Sequence, residues 1–195
     1  MGDTGFDTLT TARLVLRRFR PEDLDTFVAY RSDPDVARYQ SWDAPYAREQ
    51  AREFLGSLRK THPDTPGEWF QFAVTLASTG ELLGDCAAGL TTEEPRQAEI
   101  GFSLATAHQG RGYATEAVRR LLDYLLLERG KHRVTASCDE RNTRSAALLE
   151  RVGMRREGRL LESTWSKGEW TNDLLYAVLR REWPARGGTG GPSGR

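Results

Sequence analysis

At 195 residues, with 28 Lys plus Arg against 28 Asp plus Glu, the chain is one domain of ordinary size without net charge. That balance argues against a dedicated nucleic-acid binder, and no apolar run approaches membrane length. The two cysteines, Cys86 and Cys138, and the three histidines, His62, His108 and His132, lack metal-ligand spacing. Both cysteines read as small buried hydrophobes in a reducing compartment, and no signal-peptide pattern opens the chain, so a soluble cytoplasmic protein without a structural metal is expected.

Met1 to Thr10 carry no pattern and are expected to be a loose arm before a single domain over residues 11–183. Arg13 to Arg20 alternates, Leu14 and Leu16 facing away from Val15, Arg17 and Phe19, which predicts a first strand. Pro21 opens a helix bearing Leu24, Phe27, Val28 and Arg31 at helical spacing. An irregular piece, Val36 to Pro45, carries Tyr39 and Trp42 before a second helix from Tyr46 to about Lys60. The period then changes to two. Trp69 to Leu76 and Leu82 to Leu90 flank Ser78-Thr79-Gly80-Glu81 as a hairpin. Gln97 to Leu104 is a further strand, with Ala98, Ile100 and Phe102 on one face and Glu99 and Gly101 on the other. Ala114, Ala117, Val118, Leu121, Leu122 and Leu125 form a strong helical stripe. A strand from Arg133 to Cys138 and a short helix from Asn142 to Val152, closed by Gly153, follow. Arg155 to Ser163 and Thr171 to Arg180 are the last strands, and residues 184–195 form a Gly/Pro-rich tail expected to be flexible. This order predicts an α/β (α+β) fold on a mixed sheet with few parallel connections.

The most informative stretch is Gln109-Gly110-Arg111-Gly112-Tyr113-Ala114-Thr115, a turn between a strand and the longest helical stripe. Its glycines leave little between the backbone and a ligand, and the helix start offers unpaired N–H groups at the positive end of its dipole. Such a turn suits phosphate. A P-loop is excluded by the lack of Lys between His62 and Gly130, and a dinucleotide fingerprint would need a third Gly where Thr115 stands. The acetyl-CoA loop of the GNAT acyltransferases, Gln/Arg-x-x-Gly-x-Gly/Ala, is matched by Gln109, Gly112 and Ala114. Further on, Asn142 reads as an N-cap with Ser145 at the third helical position.

Taken together, Ala98-Glu99-Ile100-Gly101-Phe102, the run His108 to Ala117, Asn142-x-x-Ser145 and Gly153-Met154 make a sequence that resembles the GNAT N-acetyltransferases, specifically their RimJ/RimL type. The opening Thr11-x-Arg13-Leu14-x-Leu16-Arg17 and the close through Gly168-Glu169-Trp170 to Asp173 and Tyr176 also follow that branch. The resemblance implies the GNAT fold: a mostly antiparallel twisted sheet of about seven strands, splayed at the acetyl-CoA site and flanked by about four helices. It places the pantetheine against the backbone of Phe102, Ser103 and Leu104. The pyrophosphate goes to the amides of Gln109, Gly110, Arg111, Gly112, Tyr113 and Ala114, near Asn142 and with Arg111 and Arg144 as phosphate neighbours. Tyr39 and Trp42 fall on the acceptor side, with Trp165 and Trp170 on the late hairpin as further candidates to face it.

By the same resemblance Glu99 is the base and Ser145 assists the leaving thiolate. Many GNAT enzymes carry a Tyr seven residues after the motif Asn, where this chain has Leu149. A serine hydroxyl is far less acidic than a thiol of pKa ~8.5, which favours Ser145 as a hydrogen-bond donor. A carboxylate deprotonates an α-amine near 7.7–8.0 more easily than a lysine near 10.4, a difference of roughly 3.4 kcal/mol. The expected activity is therefore direct acetyl transfer to a protein or peptide α-amine, by a monomer or homodimer with acetyl-CoA as cosubstrate and no metal. The alternatives are a small-molecule amine acetyltransferase acting on an amino acid, polyamine or antibiotic, and a non-catalytic CoA-binding regulator.

Overall fold

The computed structural model describes residues 8–184; residues 1–7 of the expected arm and 185–195 of the expected tail lie outside the described residues. The strands are β1 (Thr8–Thr10), β2 (Leu14–Arg17), β3 (Trp69–Leu76), β4 (Leu82–Leu90), β5 (Gln97–Leu104), β6 (Arg133–Asp139), β7 (Arg155–Ser166) and β8 (Glu169–Leu179). The helices are α1 (Leu24–Arg31), α2 (Pro34–Ala37), α3 (Arg48–Leu58), α4 (Tyr113–Asp123) and α5 (Thr143–Arg151), with a π turn at Tyr124–Glu128 prolonging α4. One 8-stranded sheet runs β1-β2-β3-β4-β5-β6-β8-β7.

The mixed, mostly antiparallel GNAT sheet is present, with one strand and one helix more than expected. Thr8–Thr10 pairs antiparallel with β2 instead of lying loose, and Leu9 is buried beneath it. Three residues are too few to show a period, so this strand and the four-residue α2 left no sequence pattern. The last two strands pair as one long hairpin whose tip, Lys167-Gly168, has positive φ at both residues (51° and 86°). That is the backbone a tight two-residue hairpin turn needs.

Every neighbouring pair in the sheet is antiparallel except β5–β6. This parallel pair is joined through α4, as a parallel connection requires. Its register covers only Gln97↔Arg133, Ala98↔Val134 and Glu99↔Thr135. Beyond Glu99, Ile100 to Leu104 stay with β4, while Ala136 to Asp139 stay with β8. The sheet therefore opens into a V between β5 and β6.

Alternation puts different chemistry on the two faces. On one, Phe70, Phe72, Cys86, Ala88, Ala98, Ile100, Val134 and Ala136 pack with Val118, Leu121 and Leu122 of α4 and Leu148 and Leu149 of α5. The other face is covered only in part. There Ala73 meets a cluster containing Phe27, Tyr30, Tyr46, Ala51 and Leu55 from α1, α3 and the loop between. In that same phase lie Trp69, Gly89, Glu99, Gly101 and Thr135.

A buried ionic group holds α1 to this second face. The Tyr30 hydroxyl donates to Asp85 of β4, and Arg31 lies 3.7 Å from the same carboxylate and donates to Gln71 of β3 at 3.4 Å. The Arg31 guanidinium is stacked at 3.9 Å on the ring centre of Trp42 and at 4.3 Å on that of Phe27. Burial pushes the Asp85 carboxyl up, while Arg31 and the Tyr30 hydroxyl pull the other way. Replacing Asp85 by Ala strands a buried cation, and a loss of about 3–5 kcal/mol in unfolding free energy is expected from denaturant titration. A loss below about 1 kcal/mol, the value of an exposed pair, would contradict this account.

Candidate active site

The glycine turn sits at the open end of the V, where β5 runs into α4. Gly110 and Gly112 have φ of 74° and 80°, a region costly for any residue with a β-carbon. Gly112 is the N-cap of α4, so the N–H groups of the first turn point out of the helix beside it. A β-carbon at Gly110 would meet nothing within 4 Å, which leaves that backbone open to a ligand. These features fit a pyrophosphate.

The chain's opening motif clamps this turn. Thr11 Oγ1 donates to Glu116 Oε1 at 2.6 Å, and Arg13 Nε donates to Glu116 Oε2 at 2.7 Å. The Arg13 guanidinium also donates to the Arg111 carbonyl at 3.1 Å and lies over the Tyr113 ring at 4.6 Å. Burial would raise the Glu116 pKa, but the bonds from Thr11 and Arg13 outweigh it and hold the carboxyl below its ordinary value. Thr11, Arg13 and Glu116 each stood in a quoted motif, yet nothing local to any of them signalled the contact.

Gln109 faces inward. Its amide donates to the Leu104 carbonyl at 2.9 Å and accepts from Arg144 Nη1 at 3.1 Å. Arg144 thus reaches the turn from α5, while Arg111 is exposed on the turn itself. Asn142 caps α5 by accepting from the Ser145 N–H at 3.1 Å. The same helix ends at Gly153, where Gly153 N–H bonds Glu150 O and Met154 N–H bonds Leu149 O, both at 3.0 Å. That double bond pattern is a Schellman close. α5 starts where β6 ends, so Ser145 in its first turn lies at the same open end as the glycine turn. Phe102, Ser103 and Leu104 line the β5 side of the V.

Glu99 is the last residue of β5 paired to β6, at the vertex of the V. It lies opposite the apolar Ala98-Ile100 phase, half-buried, and accepts from Ser137 Oγ at 3.3 Å. Ser137, unnoticed in the sequence, stands on β6 just past the vertex and steadies the carboxylate. Trp69 is the second residue missed: it is in register with Gly89, which is in register with Glu99.

Trp42 is largely engaged by the fold, stacking on Arg31 and donating Nε1–H to the Arg31 carbonyl at 3.1 Å. Tyr39 is partly exposed, with the Arg38 guanidinium 5.4 Å from its ring centre. The tip of the β7–β8 hairpin folds onto this loop: Lys167 Nζ donates to Trp42 O at 2.6 Å and to Asp43 Oδ1 at 3.0 Å. Trp165 and Trp170 pair with each other at 5.4 Å. Trp170 shares the strand phase of Leu174 and Tyr176, the face opposite Glu99. The two indoles are 60% and 58% exposed. Among the described residues no cluster of three or more His, Cys, Asp or Glu side chains is placed to hold a metal ion, and no helix is long and apolar enough to cross a membrane.

A splayed parallel pair with a capped glycine turn at its mouth defines a CoA-type acyltransferase. Residues 13–155 match the acetyltransferase (GNAT) domain, and the chain belongs to this family of N-acetyltransferases. It is 32% identical over 177 residues to a Bacillus licheniformis protein named uncharacterized N-acetyltransferase p20, covering 91% of this chain and 98% of that one. A GNAT-family acetyltransferase structure from Bacillus anthracis superposes with a TM-score of 0.80 at 30% identity, over 90% of this chain and 99% of that one. The RimJ structure from Mycobacterium smegmatis in complex with CoA-disulfide gives 0.77 at 28%, over 88% and 84%. The [ribosomal protein uS5]-alanine N-acetyltransferase of Escherichia coli is 26% identical over 183 residues, 90% of this chain and 92% of that one.

Glu116→Gln is expected to lower stability by about 1–2 kcal/mol at neutral pH, a value discounted because Arg13 is half exposed. Since the folded carboxyl titrates below its unfolded value of about 4.3, its contribution is present above that pH and fades as pH falls through the folded value. Thermal midpoints of wild type and variant should therefore separate at pH 7 and converge in acid. A constant gap across that range would refute the clamp.

Proposed function

We propose that the protein transfers the acetyl group of acetyl-CoA directly to a primary amine, the N-terminal α-amine of a protein or peptide. The observation that carries this reading is Glu99 at the vertex of the V, with the glycine turn and Ser145 at its mouth. Acetyl-CoA supplies the acetyl group as a thioester. Gln109 to Ala114 bind the pyrophosphate through backbone N–H groups, with Arg111 and Arg144 adding charge and Asn142 holding the α5 end of the site. Phe102, Ser103 and Leu104 offer strand-edge groups to the pantetheine amides.

Glu99 accepts the proton of the incoming ammonium, directly or through one water, and Ser137 keeps its carboxylate turned to the cleft. The amine nitrogen then bonds the carbonyl carbon while backbone N–H groups bear the oxygen's growing charge. As the C–S bond breaks, Ser145 donates a hydrogen bond to the departing sulfur; the nitrogen gives up its second proton to solvent, the thiolate takes one from solvent, and Glu99 releases its own to complete the cycle. Transfer is direct because neither thiol suits a covalent relay: burial pushes Cys86 up, and burial with Asp139 and Asp173 nearby pushes Cys138 up to about 11. Such thiols hold almost no thiolate at neutral pH.

The lower pKa of an α-amine supports it over lysine, and the ribosomal-protein enzyme among the relatives supports a peptide end. A spermidine N-acetyltransferase from Vibrio cholerae shares the fold at 22% identity with a TM-score of 0.75, so small amines belong in any test. CoA release is to be measured against free and N-blocked ribosomal N-terminal peptides, polyamines, aminoglycosides and amino acids. Turnover confined to free-N-terminus peptides is expected; turnover confined to small amines would overturn the peptide reading. Ser145→Ala should lower kcat about 10- to 100-fold, the scale of one charge-assisted bond, with acetyl-CoA affinity unchanged. Gly112→Val should instead weaken acetyl-CoA binding at least about tenfold, since its positive φ is lost and its side chain presses on the Arg13 guanidinium that clamps the turn. Unchanged kcat in the first, or unchanged affinity in the second, would remove the role concerned.

A further inference from the structure

Trp69 is 46% exposed at the start of β3, whereas most of that strand is buried. It is not loose. A β-carbon built on Gly89 would lie 2.7 Å from Trp69 Cε2 and 2.8 Å from Cδ2. The fused centre of the indole therefore rests directly over the Gly89 backbone, which it buries. Only glycine at position 89 permits that approach. Gly89 is in register with Glu99 on β5, and residues in register project from the same face. Strands lie about 4.8 Å apart, so the indole seated over Gly89 and the side chain of Glu99 occupy adjacent rows of one face.

The floor here is small. Past Glu99, Gly101 is partly exposed, and a β-carbon built on it would meet nothing within 4 Å; Ala87 lies in register beside it. The row across the sheet is thus an indole over the Gly89 backbone and a carboxylate steadied by Ser137, with Gly101 partly exposed beside them. An aromatic face and a carboxylate on adjacent strands of one face share one preferred ligand, a compact cation.

We propose that Trp69 and Glu99 form the seat of the acceptor's ammonium group, the indole holding the charge by cation–π attraction while the carboxylate pairs with it. This rests on the transferase reading above and adds the residue that recognises the acceptor. The ligand class is a protonated primary amine on a slim carbon chain, narrow enough to lie over Gly101. Trp69 binds the amine before its proton passes to Glu99, so its removal weakens acceptor binding more than the chemical step.

The test compares wild type, Trp69→Ala and Trp69→Phe. With an alanine-headed hexapeptide as acceptor, Trp69→Ala should raise the acceptor KM about 5- to 20-fold, the effect of one partly desolvated cation–π contact. The KM for acetyl-CoA should not move, and Trp69→Phe should recover most of the loss. If the wild type acetylates spermidine and not the peptide, the same comparison on the spermidine KM decides. Calorimetry then uses two unreactive probes, the peptide with a trimethylated N-terminus and its uncharged tert-butyl isostere. Trp69→Ala should weaken only the charged probe, and Gly89→Ala, which drives the indole off the strand, should do the same. An unchanged acceptor KM, or equal losses for the two probes, would overturn the seat. Absence of turnover on every amine, with the charged probe still binding through Trp69, would overturn the transferase reading and leave the seat standing.

Discussion

The arrangement of this protein turns on the interruption of one strand pairing. β5 and β6 hold each other for three residue pairs and then part, each kept in place by its outer neighbour. Backbone N–H and C=O groups are obligatory hydrogen-bonding groups, and a sheet interior normally satisfies them by laddering. Here the inner edges of Ile100 to Leu104 and Ala136 to Asp139 face each other without a ladder. One of those groups, the Leu104 carbonyl, is taken up by the Gln109 side chain. The rest invite an extended ligand with amides of its own, which is the chemistry of a pantetheine arm. A closed sheet would be more stable and would have nowhere to put the donor.

Keeping the V open requires that its mouth be fixed from both sides. On the β5 side, Glu116 draws Thr11 and Arg13 onto the first turn of α4, tying the beginning of the domain to the glycine turn. On the β6 side, the Asn142 cap and the Schellman close at Gly153 fix α5, and Arg144 reaches back to Gln109. The turn can then keep two positive-φ residues and an outward helix start without collapsing onto itself. Loop strain of this kind costs about 1–3 kcal/mol per residue when a β-carbon is present, and glycine avoids most of it.

What the sequence disclosed follows from the range of each interaction. The strands β3, β4 and β5 were legible to the residue because alternation is a local signal, and it also placed Glu99 opposite Ala98 and Ile100. The glycine turn was legible because one backbone geometry demands Gly at fixed spacing within a few residues. Thr8–Thr10 escaped notice because a short edge strand draws its order from β2, not from its own pattern. Trp69 escaped because its setting depends on Gly89 and Glu99 in two other strands, a matter of register. Trp165 and Trp170 stand out in the sequence only as late-hairpin aromatics, and their mutual pairing across β7 and β8 is again a matter of register.

The two halves of the site are therefore built on different principles, and this bears on how acceptors diverge. On the reading above, the donor half is mainly backbone, the strand edge, glycine turn and helix N–H groups from β5 to α4, with α5 adding Arg144 and Ser145. On the proposals above, the acceptor half is side chain, Trp69 from β3, Glu99 from β5 and Ser137 from β6. Changing the donor half means breaking a fold element, whereas changing the acceptor half takes one side chain at Trp69, Ser137 or the hairpin tip. A spermidine enzyme and a ribosomal-protein enzyme can then stand on one fold, since the shared frame presents the thioester and a few separable residues choose the amine. On the proposal above, that choice in this chain rests with Glu99 and the indole laid over Gly89.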